Sequence, residues 1–323
     1  MSGVVTISIE VELGWGFHDI GGPKRLSDRC EEERKYLQNL LLKCDEVGIP
    51  ISFDIVGHLT LSECDGTHEG HYPADWFAND PGTNLETNPD FYAPDMIAAI
   101  EASKVSHELC THTFSHVLCD RMGDDCVNDD IAHAQRIHET QFGKKSVSFV
   151  PPRHFEPSAT VLRENGIEIV RKSVHTDTSN KVTRFFELLV SPPLLDEPQI
   201  VDGIVETYCT SYQSLTASSL PIGQRESHAV FKPIPRSLRQ QLHLRRMETE
   251  LKAVVEKDGY AHFWCHLWDL SNEHQWGVVE PFLDMLATYR DMEGLQVLTM
   301  SELNNHVRTQ RATGVELVEG ING

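Results

Sequence analysis

The feature that most constrains this chain is a repeated exchange between short apolar runs and longer segments with helical spacing. Val4–Glu12 reads as a buried strand. Ser27–Val47 reads as a helix, with Ser27 and Asp28 able to cap it, Tyr36, Leu37, Leu40 and Leu41 at helical spacing, and Gly48 as its stop. Ile49–Val56 is the next strand. Further strands are expected at Val105–Thr111, Ser146–Val150, Ile167–Arg171, Ile204–Tyr212, Ala261–Leu267 and Leu295–Thr299. Helices are expected at Met96–Ser103, Asp130–Phe142, Ser158–Asn165, Arg236–Lys257 and Val278–Tyr289. About seven strands separated by helices predict a parallel α/β architecture, and that count suits a barrel better than an open sheet. A single domain over residues 1–308 is expected, with insertions near 57–93 and 175–255 and a polar tail over 309–323.

Composition narrows the function classes. The formal charge of −21 leaves no broad electrostatic footprint for nucleic acid or an anionic membrane. The eight cysteines include no C-x-x-C pair, so neither a thiolate zinc site nor a thioredoxin-type motif is supported. There is no G-x-G-x-x-G, no P-loop, no basic leader and no apolar run long enough to span a membrane. A cytoplasmic location with reduced thiols is the expectation. The 17 histidines invite a search for metal spacing.

Four groups of residues at predicted strand ends carry chemistry, and strand C-termini are where parallel α/β folds build active sites. Glu10 and Glu12 lie two apart, on one face of an extended strand, and need a cation or a proton if buried. The alternative is that the strand has frayed into a solvated loop by Glu10. His112 and His116, at i and i+4, would face the same way on a helical turn and could share one metal ion. His266, inside Phe263–Asp269, is either a satisfied core residue or a general acid at a strand end. Arg153, after Val150-Pro151-Pro152, either orients a carboxylate through a bidentate pair or lies on the surface. Trp15 and the aromatics interleaved in 72–92 could form an apolar wall or a sugar-stacking face.

The order of these pieces resembles the polysaccharide deacetylase family, the NodB-type deacetylases of carbohydrate esterase family four. VVTISIEVELGWG at 4–16 resembles its first acidic motif. His112-Thr113-Phe114-Ser115-His116 resembles its H-[ST]-x-x-H motif at every defined position. Phe149–His154 resembles the arginine motif, Phe263–Leu270 the late histidine motif, and Ile51–His58 the second-strand segment. Where the family carries Asp as its base, this chain carries Glu10. The resemblance spans about residues 4–300 and is weak over 175–255.

The resemblance implies a distorted (β/α) barrel and one divalent metal ion, zinc first among the candidates. Glu12, His112 and His116 would be the metal ligands, Glu10 the general base, His266 the general acid, and Arg153 the group that steers Glu10. The implied reaction is hydrolysis of a carbon–nitrogen amide bond, with an N-acetylated sugar or another small amide as substrate. Two alternatives stand beside it. One is a cyclic amide or imide hydrolase of allantoinase type on the same scaffold. The other is a carbohydrate-binding relative without turnover.

Overall fold

The computed structural model describes residues 3–20, 25–174 and 192–319. Its central strand, β1 (Val4–Val11), follows from a strict alternation in the sequence. Val5, Ile7, Ile9 and Val11 are wholly buried against the helix layer, in the same apolar cluster as Leu37, Leu40 and Phe282. Thr6, Ser8 and Glu10 point the other way, into the interior of a curled sheet, because successive side chains on a strand take opposite faces. Truncating a wholly buried residue such as Ile7 to Ala costs about 2–5 kcal/mol.

The remaining strands are β2 (Ser52–Ile55), β3 (Glu108–Thr111), β4 (Ser148–Phe149), β5 (Ile169–Ser173), β6 (Gln199–Val201), β7 (Ile204–Cys209), β8 (Tyr260–His266) and β9 (Gln296–Val297). Their order across the sheet is β6-β7-β5-β4-β3-β2-β1-β8, with β9 paired to the start of β1. Among the described residues every ladder between these strands is parallel except β6–β7, an antiparallel edge hairpin whose β6 the sequence reading omits. Among the described residues β7 and β8 do not pair along their length. Individual contacts bridge that seam instead: Thr207 Oγ1 lies 3.0 Å from His262 Nδ1, Trp264 Nε1 donates to the Thr210 carbonyl at 2.9 Å, and one backbone bond, from Leu215 N to the Trp264 carbonyl at 2.9 Å, follows β7. The result is a distorted (β/α) barrel, open along one seam.

The helices are α1 (Glu31–Val47), α2 (Pro94–Glu101), α3 (Asp124–Phe142), α4 (Ala159–Glu164), α5 (Arg236–Glu256), α6 (Leu267–Leu270), α7 (Glu273–Glu293) and α8 (Met300–Glu319). The entry into α1 differs from expectation. A short 3-10 turn, Asp28–Cys30, separates Ser27 from the helix. Ser27 Oγ accepts from Glu32 N, and Glu33 accepts from Ser27 N, so the cap reaches across that turn. Gly48 does end α1, at φ 67°, a left-handed conformation that costs glycine little. The backbone of α8 is helical to Glu319, past the point where the sequence reading begins a polar tail. Met300 and Leu303 from its first turn plug the N-terminal end of the barrel, packed with Val4, Cys110 and Val150. Part of the expected 175–255 insertion, residues 175–191, lies outside the described residues. No described helix is long and apolar enough to cross a membrane.

Candidate active site

Strand register sets the first row of the site. Glu10 on β1 is paired with Asp54 on β2 and with His266 on β8, so three titratable side chains share one level of the interior. Arg171 on β5 points inward beside them, and its register partner is Thr207. All of these lie at or near strand C-termini, where loops rather than a neighbouring layer cover the sheet.

Glu12 sits just past β1, at the start of a 3-10 segment over Leu13–Ile20. Its carboxylate is buried and divided between two sets of partners. Oε1 accepts from Trp268 Nε1 at 2.9 Å; Oε2 lies 2.8 Å from His116 Nε2 and 3.7 Å from His112 Nε2. Gly16 makes this possible, because a Cβ there would lie 2.5 Å from the Glu12 carboxylate.

His112 and His116 meet without a helix. The expected helical turn is absent: the segment is a loop in which Thr113 and His116 take positive φ, 65° and 61°. Such angles are strained for a β-branched residue and persist only where the surroundings enforce them. Asp130 of α3 does so. Its carboxylate accepts from Phe114 N at 2.7 Å, from Ser115 N at 3.2 Å, from Ser115 Oγ at 2.5 Å and from Tyr72 OH at 3.0 Å. Gly57 N and His58 N donate to the Thr113 and Phe114 carbonyls, which ties the loop to the end of β2. His112 Nδ1 donates to the Val150 carbonyl at 2.7 Å, which fixes the tautomer and leaves Nε2 with its lone pair facing Glu12. Neither His112 Nε2 nor His116 Nε2 makes a hydrogen bond, although both are buried. Two orphaned imidazole nitrogens aimed at one carboxylate are the donor set a divalent cation takes. Glu12, His112 and His116 therefore fit a metal ion.

Arg153 does hold a carboxylate through a bidentate pair, but that carboxylate is Asp19 and not Glu10. Arg153 sits in a Pro-rich turn at φ 48° and donates to Asp19 and, at 3.1 Å, to the Gly16 carbonyl. The guanidinium on Glu10 belongs to Arg171, whose Nη2 donates to Glu10 Oε1 while Nη1 donates to Ser8 Oγ at 2.7 Å and lies 3.5 Å from Asp54. The reason is geometric. A turn outside the sheet reaches the rim, whereas an interior position on β5 reaches β1 across the barrel. Arg153 instead pins the segment that carries Gly16 and shelters Glu12.

Charge follows from these contacts. Burial would raise the Glu10 pKa, but Arg171 first, then His266 and His112, outweigh it and hold the carboxyl down at about 2. Burial would likewise lower His266. The carboxylates of Glu10, Glu12 and Asp269 outweigh it and raise the imidazole to about 10. His266 Nδ1 donates to Asp269 Oδ2 at 2.8 Å, leaving Nε2 3.4 Å from Glu10 Oε2. Its side chain is 23% exposed, so it borders the open side of the site. Burial lifts Asp54 to about 7 against the pull of Arg171.

Of the aromatics offered for an apolar wall or stacking face, Tyr72 and Phe77 are half-buried and the other four are buried. Trp15 is wholly buried and donates to the Phe91 carbonyl at 3.3 Å; Trp76 is buried and donates to Ser115 Oγ at 2.9 Å. Phe91 and Tyr92 are buried as well, so these rings back the histidine loop rather than line an opening. Three residues that hold this site together escaped the sequence reading: Arg171, Asp130 and Trp268. Arg171 had one available signal, a cation at the end of a predicted buried strand. Trp268 lies inside the Phe263–Leu270 motif segment without a role of its own there, and Asp130 had no signal.

No family model matches this sequence, and no curated protein matches it. Solved structures do match. A chain described as a polysaccharide deacetylase from Mycobacterium smegmatis aligns over 95% of this chain and 91% of its own, at 15% identity and a TM-score of 0.62. One described as a polysaccharide deacetylase from Pseudomonas aeruginosa PAO1 aligns over 94% and 90%, at 11% identity and 0.57. An allantoinase aligns over 94% and 89%, at 10% identity and 0.54. At these identities the likeness is one of fold, and this chain folds as a polysaccharide deacetylase-like distorted (β/α) barrel.

Proposed function

We propose that this protein is a metal-dependent hydrolase of a carbon–nitrogen amide bond, and that its substrate is an N-acetylated amino sugar or glycan precursor. The observation that carries the reading is the pairing of two units around Glu12. One is the Glu12, His112 and His116 donor set with its orphaned nitrogens; the other is Glu10 flanked in register by His266. When bound at the donor set, a divalent cation, zinc in the first instance, supplies the Lewis acidity that lowers the pKa of water and polarises an amide carbonyl.

The chain's own residues supply the proton transfers. Glu10 is ionised at neutral pH and accepts the proton of the attacking water. Arg171 holds that carboxylate in place and limits its movement. His266 carries its proton at neutral pH and gives it to the departing amine, with Asp269 fixing the ring. Trp268 stacks on the His266 ring at 4.7 Å and also holds Glu12, so one indole couples the acid to the donor set. The sum is one proton taken from water and one delivered to the amine.

The structural likeness to an allantoinase favours a second reading, ring opening of a cyclic amide or imide by the same groups. Acetate release from N-acetyl sugars, free and nucleotide- or lipid-linked, should be assayed beside ring opening of cyclic ureides and imides. Zinc-loaded protein is expected to release acetate, and Glu10→Ala to abolish it. Ring opening without acetate release from any sugar would replace the first reading by the second. No Glu10-dependent hydrolysis of either class would end both, leaving the carbohydrate-binding alternative.

A further inference from the structure

A second set of metal-ligating side chains lies in the 57–93 excursion, apart from the site described above. Among the described residues, His58, Cys64, His68 and Asp80 each present one ligand atom, and all four atoms lie within 4.8 Å of one another. We propose that these four residues form a structural zinc site that stitches the excursion to the end of β2.

Two of the three Asp80 separations match a small tetrahedral ion, and the third, to His68, is a hydrogen-bond contact that has to open by about 0.6 Å on binding. Zinc bonds of about 2.0–2.3 Å leave tetrahedral ligand atoms about 3.3–3.8 Å apart. Asp80 Oδ2 lies 3.5 Å from His58 Nε2 and 3.5 Å from Cys64 Sγ; its distance to His68 Nε2 is 2.7 Å. His58 Nε2 is buried and makes no hydrogen bond, although it faces this group. The surrounding contacts orient the ligands. His58 Nδ1 faces the Phe91 carbonyl at 3.4 Å, and Gly66 N donates to Cys64 Sγ at 3.4 Å. Tyr92 OH lies 3.1 Å from the same sulfur, and Gly82 N donates to Asp80 Oδ1 at 3.0 Å. Such outer contacts are what hold ligands in place at metal sites.

Charge and chemistry agree. One thiolate, one carboxylate and two neutral imidazoles balance a divalent cation, which removes the cost of a buried Asp80 carboxylate. A mixed sulfur, nitrogen and oxygen tetrahedron suits zinc better than magnesium or calcium. Cys64 would release its proton on binding. The site has a structural purpose in this fold. The excursion has little regular structure beyond the 3-10 turn Gly57–Thr60 that carries His58 and an isolated bridge between Glu63 and Asn84, yet it packs on the histidine loop. His68 meets the Phe114 ring at 5.3 Å, and His58 meets it at 5.4 Å.

The sulfur ligand separates this site from the other one, whose donors are oxygen and nitrogen only. Full-length protein stripped of metal and titrated with cobalt(II) should develop a thiolate-to-cobalt charge-transfer band in the near ultraviolet. That band should vanish in Cys64→Ala and in His68→Ala, and persist in His116→Ala. Zinc-loaded Cys64→Ala should carry one equivalent less than wild type. Absence of the band from wild type overturns the proposal, without reference to any variant's folding. Its persistence in Cys64→Ala, or an unchanged zinc content there, overturns it equally.

Discussion

Arg171 on β5 donates directly to Glu10 on β1, across 161 positions of sequence and inside a site that buries both side chains. The contact crosses the barrel interior rather than running along the sheet. It leaves Arg153 free to do something else, namely to hold the segment that shelters Glu12.

Arg171→Met should therefore be far more damaging than Arg153→Met. Removing one partner of a buried ion pair costs about 3–5 kcal/mol, because the other charge is left uncompensated. Melting temperature and denaturant midpoint would read this loss. The acid limb of the activity profile should also move to higher pH, since Arg171 is the largest favourable influence holding Glu10 down at about 2. Arg153→Met should leave that limb in place.

Glu10→Asp tests the length of the base. Shortening the side chain by one methylene withdraws the carboxylate by roughly 1.5 Å, and misplacement of about 1 Å can cost about 100-fold in rate. We expect kcat to fall by about that factor while metal content is unchanged. Single-turnover assay with parallel zinc determination would separate the two effects.

Asp130→Ala should act on metal binding without touching a ligand. It strips the acceptor from Phe114 N and Ser115 N, two buried donors, at about 1–3 kcal/mol each. The strained loop at Thr113 and His116 would then relax. Metal affinity at Glu12, His112 and His116 should weaken by about 10–100-fold, the usual scale for loss of an orienting group. Competition with a chromophoric chelator measures this directly.

Glu12→Ala, His112→Ala and His116→Ala should each lose metal from this site. Cys64 should keep its own signal in all three. Zinc content together with the cobalt–thiolate band reads both sites in one preparation, and full metal retention by any of the three would remove that residue from the donor set.

Buried histidines should make the fold acid-labile. Burial lowers His138 from its ordinary 6.5 to about 4, and lowers His243 likewise. Between those values the unfolded chain binds protons that the folded chain refuses. Stability from these groups is thus present above pH 6.5 and is lost as pH falls toward 4, at up to about 1.4 kcal/mol per pH unit per histidine. Urea unfolding at several pH values should show a shallower acid loss in His138→Gln than in wild type.

The primary sequence by itself determined the parallel strand–helix alternation, since periodicity is a local property that neighbouring residues enforce. It also determined that Glu10, Glu12, His112, His116 and His266 fall at strand ends. The tertiary structure alone decided which of them meet, and how. The histidine pair is joined by a left-handed loop held by Asp130, and no spacing rule anticipates a partner on a later helix. Arg171 reaches Glu10 only because the sheet curls until β5 faces β1. His58, Cys64, His68 and Asp80 converge from a segment without periodicity, where order comes from side-chain contacts rather than from backbone repeats. Pattern in the chain fixes faces and ends; closure of the barrel fixes distances, and distances decide the chemistry.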